Sequence, residues 1–374
     1  MNGEESGRVP MQSESRKIRV LVVDDSAVMR KIIPGLLEKD SELEVVATAI
    51  DGDFAINKVE QLKPDVVTLD IDMPRMDGLT ALNHIVEKHG IPVIMLSSLT
   101  TRGAALTMKA LEMGAVDFIC KPKAVSQIGD MSSELISKVK AAARSNSVPV
   151  SVEPPVKKVV KKRAPSPPVF QSGRIVAIGA SSGGPHALRY LLPRIPPDFG
   201  AGIVIVQHMP ESFTAMFAQW LDEICDIEVR EARDGDIASP GRALIAPGNA
   251  HLKIRKRPLG AEAVLQKGSL VNGHMPSVDV LFKSVAEEYA SQALAVLMTG
   301  MGSDGAEGLG RIKQSGGRTV AQDKESSAIF GMPRVAIEKG YADRVVPLAE
   351  MSALLISAIG RSDCLEVTGY GDRR

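Results

Sequence analysis

Two groups of residues in this chain have the types and spacing to do chemistry, and the two chemistries differ. The first is a set of carboxylates with a distant lysine: Val22-Val23-Asp24-Asp25-Ser26, then Leu69-Asp70, then Cys120-Lys121-Pro122. The second is Ile178-Gly179-Ala180-Ser181-Ser182-Gly183-Gly184, which fits the G-x-S-x-G pattern of a strand-to-helix elbow presenting a nucleophile. A basic, proline-rich stretch separates them.

In the first group, Asp24 and Asp25 end one apolar run and Asp70 ends another. Ligands of a parallel sheet bind beyond the carboxyl ends of its strands, so these carboxylates should converge. Like charges about 5 Å apart repel by roughly 3 kcal/mol at an effective dielectric of ~20. A hard divalent cation relieves that repulsion, and Mg²⁺ prefers carboxylate and water oxygens. Lys121 can reach an incoming phosphoryl oxygen, and Ser97 can donate a hydrogen bond to it. Pro122 fixes the turn, with a prolyl bond open to the cis form. Alone, Asp24-Asp25-Ser26 reads as a helix cap and Lys121 as a surface cation. With Asp70, Ser97 and Lys121 all at strand ends, a phosphoryl-accepting site is the stronger reading.

A serine nucleophile needs a base held by an orienting group. Of the six histidines, two lie in the half that carries the carboxylates. His208 follows the apolar run 203–206, at the carboxyl end of a neighbouring strand. His186 lies in the helix leaving the elbow and should point away. His251 is expected at a hairpin turn, and His274, before a helix cap at Ser277, is a candidate for substrate contact. The orienting acid is Asp304, in Gly300-Met301-Gly302-Ser303-Asp304-Gly305. The order Ser, His, Asp differs from the Ser, Asp, His of α/β-hydrolases, which excludes a lipase or esterase of that fold. By elbow logic the Ser182 backbone N–H is an oxyanion donor. A glycine-rich strand-to-helix loop also cradles phosphate. This one lacks a Walker lysine and the full dinucleotide spacing. Residues 300–305 alone would be a turn with Asp304 as a cap. Three such residues at the ends of separate parallel strands favour a hydrolase.

Residues 18–144 alternate short β-branched runs (18–23, 44–49, 66–69, 92–96 and 117–119) with helical stretches such as 26–39 and 79–89. This alternation implies a parallel sheet covered by helices on both faces, and five such units predict a flavodoxin-like domain. Residues 145–172 crowd six prolines with Lys157, Lys158, Lys161, Lys162 and Arg163, which favours a semi-rigid extended linker. Residues 173–360 resume the alternation, with strands at 175–179, 203–206, 227–230, 293–298, 318–321 and 343–346. Between 242 and 266, turns such as Pro247-Gly248-Asn249 suggest a β-hairpin insertion. The expected fold class is α/β, with two doubly wound parallel-sheet domains. A flavodoxin-like domain at 17–137 and a linker at 138–172 precede a Rossmann-like serine hydrolase domain at 173–362. A flexible tail at 363–374 follows.

Charge is balanced, with 45 basic and 45 acidic residues, so bulk charge draws neither nucleic acid nor membrane. Aromatics at 3% give little platform for stacked bases. Cys120, Cys225 and Cys364 are odd in number and far apart, and supply neither a disulfide framework nor a zinc site. The N-terminal segment lacks a signal-peptide core, and no apolar run reaches membrane-spanning length. A soluble cytoplasmic protein is expected, with no nucleic-acid partner and no membrane insertion.

Residues 18–135 closely resemble the response-regulator receiver domain. The resemblance implies phosphorylation of Asp70 by a histidine kinase. It implies Mg²⁺ held by Asp24, Asp25 and Asp70 with the backbone carbonyl of Asp72, and switch roles for Ser97 and Phe118. Phe118 is equally plausible as a core residue. The whole chain resembles the chemotaxis response-regulator methylesterases (CheB-type protein-glutamate methylesterases). That resemblance runs through the elbow, Gln207-His208-Met209-Pro210, Pro276-Ser277-Val278-Asp279 and residues 300–305. It implies Ser181 as nucleophile, His208 as general base and acid, Asp304 as orienter, and the Met301 backbone beside the oxyanion. It further implies methylated glutamates of chemoreceptor cytoplasmic helices as substrates, deamidation of receptor glutamines, no cofactor for the hydrolysis, and a monomer. Its unphosphorylated receiver is expected to block the catalytic cleft. Related sequences tend to carry basic residues around His274, where this chain has Gly273 and Met275. The rival reading is a non-enzymatic two-component regulator whose second domain binds a partner or nucleic acid.

Overall fold

A computed structural model describes residues 16–122, 128–144 and 173–360. The predicted linker beyond 144 and the predicted tail lie outside the described residues. In the N-terminal domain the strands are β1 (Ile18–Val23), β2 (Leu43–Ala49), β3 (Val66–Asp70), β4 (Val93–Ser97) and β5 (Asp117–Cys120). They alternate with α1 (Met29–Leu37), α2 (Gly52–Leu62), α3 (Gly78–His89), α4 (Thr101–Glu112) and α5 (Ile128–Arg144). All pairings are parallel, in the order β2-β1-β3-β4-β5, which is the flavodoxin-like order. Strands β3 and β4 are buried along their whole length, as helices on both faces require. Helix α5 runs through Arg144, past the boundary expected at 137, because its apolar face (Met131, Leu135, Val139, Ala142) stays in the core.

Helices α2, α3 and α4 start on side-chain caps from Asp51, Asp77 and Thr100, which take otherwise unpaired backbone N–H groups. Helix α1 has no such cap: its first turn follows Val28. Asp24 and Asp25 are therefore not helix caps and remain available to a site.

The C-terminal domain contains β6 (Ile175–Ala180), α6 (Gly184–Leu191), β7 (Gly202–Gln207), α7 (Glu211–Ile224), β8 (Glu228–Glu231), β9 (Ile237–Ala238) and β10 (Arg242–Ile245). There follow β11 (His251–Arg257), β12 (Gly260–Gln266), α8 (Val278–Tyr289), β13 (Ala293–Leu297), α9 (Ala306–Gln314), β14 (Arg318–Gln322), α10 (Met332–Glu338), β15 (Arg344–Val346) and α11 (Leu348–Ile359). Seven strands form one parallel sheet in the order β15-β14-β13-β6-β7-β10-β8. This is the Rossmann order with one strand, β10, slipped between the second and third. The expected insertion is thus smaller than 242–266. Residues 242–245 belong to the main sheet, and β11 and β12 form the antiparallel hairpin, with β9 alongside. Direction along the sheet reverses at β6, between β7 and β13, and the loops after β6, β7 and β13 meet there.

Candidate active site

The elbow is built by close backbone approach. Ser181 N–H donates to the Thr299 carbonyl at 3.0 Å, and Thr299 Oγ1 donates to the Ser182 carbonyl at 2.9 Å. Gly183 adopts φ 76°, a left-handed value costly for other residues, and starts α6. At Gly300 an added Cβ would sit 2.8 Å from Ser181 Cβ, so the loop after β13 can approach the serine only as glycine. The N–H groups of Ser182 and Met301 carry no hydrogen bond among the described residues. Both are free to face a developing oxyanion.

Register brings the base beside the serine. Ala180 pairs with Gln207, and the His208 N–H donates to the Ala180 carbonyl at 3.0 Å. Ser181 and His208 therefore extend adjacent strands side by side. His208 Nε2 lies 2.9 Å from Asp304 Oδ2. Asp304 also accepts from Asn272 Nδ2 (2.8 Å), Ser277 Oγ (2.8 Å), Val278 N–H (2.7 Å) and Asp279 N–H (3.2 Å). Burial works against its charge, but His208, Asn272 and Ser277 hold the Asp304 carboxyl far below the usual carboxylate range. It therefore accepts, the His208 Nε2 carries the proton, and Nδ1 is the bare nitrogen. His208 Nδ1 is buried without a hydrogen-bond partner among the described residues. Ser181 Oγ makes no hydrogen bond to it in this structure.

Several placements differ from those expected. Asp304 caps α8 rather than starting α9, and Ser277 donates its hydroxyl to Asp304 instead of capping its own helix. His251 is not at a turn. It opens β11, where its Nδ1 accepts the Ser277 N–H at 3.2 Å. His274 stacks on His208, with centroids 3.8 Å apart and planes 14° apart. Burial, then the adjacent His208, pushes the His274 imidazole down to about 4. Asn272, at φ 53°, bridges Asp304 and Asp279. Neither its role nor the His274 stack was singled out from sequence. The one available signal was the Pro-Ser-Val-Asp run, which reads as a helix start.

In the N-terminal domain Asp24, Asp25 and Asp70 bring ligand oxygens within 4.8 Å of one another. Lys121 Nζ lies 2.6 Å from Asp70 Oδ2 and 2.9 Å from Asp24 Oδ2. Burial pushes the Asp70 carboxyl up to about 6, against the pull of Lys121. Crowded, partly desolvated oxygens of this kind fit Mg²⁺. The Asp72 side chain faces Arg102 at 3.6 Å, away from this cluster, so any role of Asp72 falls to its carbonyl. Ser97 Oγ accepts from Thr107 Oγ1 at 2.7 Å and donates to the Gly103 carbonyl. The Lys121–Pro122 bond is not cis; the cis prolyl bond among the described residues is Met275–Pro276.

The receiver lies against the elbow. Asp117 Oδ2 accepts the Gly183 N–H at 3.1 Å, and His186 Nε2 donates to the Ala115 carbonyl at 2.6 Å. His186 does point away from the nucleophile, but into the other domain. Phe118 is buried and stacks on Phe213 of α7, with centroids 5.0 Å apart. Trp220 of the same helix donates its indole N–H to Glu112.

Comparisons with known proteins agree with this architecture. A family profile described as CheB methylesterase matches residues 176–355, and one described as response regulator receiver domain matches residues 20–132. A protein-glutamate methylesterase/protein-glutamine glutaminase 2 of Koribacter versatilis is 49% identical over 346 residues, covering 91% of this chain and 95% of the relative. Proteins named protein-glutamate methylesterase/protein-glutamine glutaminase from Sulfurimonas denitrificans and Pyrococcus horikoshii are 46% and 44% identical, over 91% and 92% of this chain and 98% and 94% of their own lengths. With a receiver sheet joined to a reordered Rossmann-like sheet and identity sustained across both, the chain belongs to the CheB family of receiver-linked methylesterases.

Proposed function

We propose that the chain hydrolyses γ-methyl esters of glutamate side chains in chemoreceptor cytoplasmic helices, releasing methanol, and deamidates receptor glutamines by the same route. Ser181 Oγ attacks the γ-carbonyl while His208 Nδ1 takes its proton. Asp304 steadies the imidazolium that forms. The N–H groups of Ser182 and Met301 receive the oxyanion. His208 then returns the proton to the leaving methanol, or to ammonia in the deamidation. Water opens the acyl-enzyme with the roles reversed. The observation that carries this reading is the Asp304–His208 bond, which leaves Nδ1 bare beside the strand end that bears Ser181. A neutral His274 ring on the far face of His208 fixes its plane without placing a second charge there.

Asp70 is the proposed phosphoryl acceptor, with a histidine kinase as donor. Asp24, Asp25 and Asp70, with the Asp72 carbonyl, would hold Mg²⁺, which when bound offsets the charge of the carboxylates and the incoming phosphoryl group. Lys121 and Ser97 would contact that group. Ser97 must leave Gly103 and Thr107 to do so, and such a shift in α4 loosens the face that carries Phe118 and Glu112 against α7. The docked receiver thus restrains the elbow until Asp70 is modified.

The test is methanol release from a methylated receptor fragment, with and without Mg²⁺ and a small acyl-phosphate donor. Wild-type release should rise with the donor, Asp70→Asn should not respond, and Ser181→Ala should be silent. Unchanged release by Ser181→Ala removes the assignment.

A further inference from the structure

Helices α2 and α3 end side by side on the receiver; Glu60 lies in the last turn of α2, His89 ends α3 and His84 lies one turn before it. These three residues bring ligand atoms within 4.8 Å of one another. The Nε2 atoms of His84 and His89 are both buried, and neither has a hydrogen-bond partner among the described residues. Their rings are tilted by 37° with centroids 5.9 Å apart, so neither satisfies the other by stacking. Unpaired buried ring nitrogens are uncommon, and two of them on histidines clustered with one carboxylate call for a shared occupant. The carboxylate excludes an anion. The helix C-termini present the negative ends of two dipoles, which also favours a cation.

The donor set selects the cation. Mg²⁺ and Ca²⁺ take oxygen ligands, whereas two imidazoles with one carboxylate suit a borderline transition ion. Zinc binds such His₂Glu sets with an open fourth position. Tetrahedral Zn–N bonds of about 2.0–2.1 Å place ligand atoms ~3.4 Å apart, so the side chains close by at most ~1.4 Å. Glu60 is exposed and the histidines are half-buried, so their rotamers have room for that closure. We infer that Glu60, His84 and His89 form a zinc-class metal site on the receiver. It lies at the end of the sheet opposite the acidic cluster of Asp24, Asp25 and Asp70, because helices run antiparallel to the strands they connect.

The test uses the full chain, stripped with a chelator and held in excess Mg²⁺ so that the acidic cluster is occupied. Zn²⁺ is then titrated in competition with a chromophoric chelator. The expected result is one tight Zn²⁺ per chain, weakened at least ~100-fold in His84→Gln and in His89→Gln, and less in Glu60→Gln. X-ray absorption of the wild-type zinc complex should show two imidazole nitrogens at about 2.0–2.1 Å. Each variant should still take up phosphoryl label at Asp70, which establishes that its receiver is folded. Unchanged affinity in the His84→Gln/His89→Gln double variant, or a zinc spectrum without imidazole scattering, overturns the site. If the variants unfold, the wild-type spectrum decides alone.

Discussion

Asp304 joins two structures that usually depend on different residues. It orients the proton-bearing face of His208 and also takes the first N–H groups of α8. Its substitutions should therefore separate into chemical and structural losses. Asp304→Asn turns a donor toward Nε2, forces the proton onto Nδ1 and should cost roughly 10⁴-fold in turnover. Asp304→Ala adds the loss of a cap, about 1–2 kcal/mol, visible as a Tm several degrees lower. Ser181→Ala should lose roughly 10⁶-fold in turnover with the melting curve unmoved. Methanol release and thermal melts on the same samples check all three. His274 makes a separate prediction with a definite sign. A permanent cation there, as in His274→Lys, stabilises neutral His208 and moves the acid limb of kcat/KM to lower pH. An acid limb that stays put would detach His274 from the base. The meeting of His208 and Asp304 was legible in the sequence because each follows an apolar run at a strand end. Which ring nitrogen is left without a partner was not, since that depends on Asn272, Ser277 and α8 folding around Asp304.

At the scale of elements, β-branched runs between amphipathic stretches marked eleven of the twelve main-sheet strands to within a residue or so. The four-residue β10 was absorbed into the predicted hairpin because glycine–proline turns bracket it at Pro240-Gly241 and Pro247-Gly248. Its place between β7 and β8 is a matter of pairing, which local pattern does not encode. The β3 terminus carries the next prediction. A carboxyl whose folded pKa is raised from 3.8 to about 6 contributes stability fully present below 3.8 and lost as pH rises through 6. The loss at neutral pH is about 3 kcal/mol for a shift of this size. Asp70→Asn should therefore be more stable than wild type toward urea at pH 7 by up to that amount. Near pH 4 the two should converge. Millimolar Mg²⁺ should narrow the gap at pH 7 by stabilising the wild type. Equal midpoints at both pH values would remove the desolvation account of this site.

Across the whole molecule, the receiver and the elbow share a boundary of mixed character: stacked phenylalanines, a half-buried histidine and one carboxylate-to-amide bond. If this boundary restrains catalysis, residues 170–374 alone should release methanol faster than the intact unphosphorylated chain, and a rate no faster would exclude restraint. His186 illustrates what sequence cannot display. Its spacing correctly turned it from the nucleophile, but a pattern read within one domain holds no information about the other. The same boundary bears on modularity. Asp117 keeps one oxygen for Phe118 and Lys138 of its own domain and lends the other to Gly183. A receiver borrowed from another regulator could preserve every phosphorylation residue and still offer no acceptor at that spot. Such a chimera would be charged normally and governed poorly, so the two halves are expected to descend through evolution as a matched pair rather than as interchangeable cassettes.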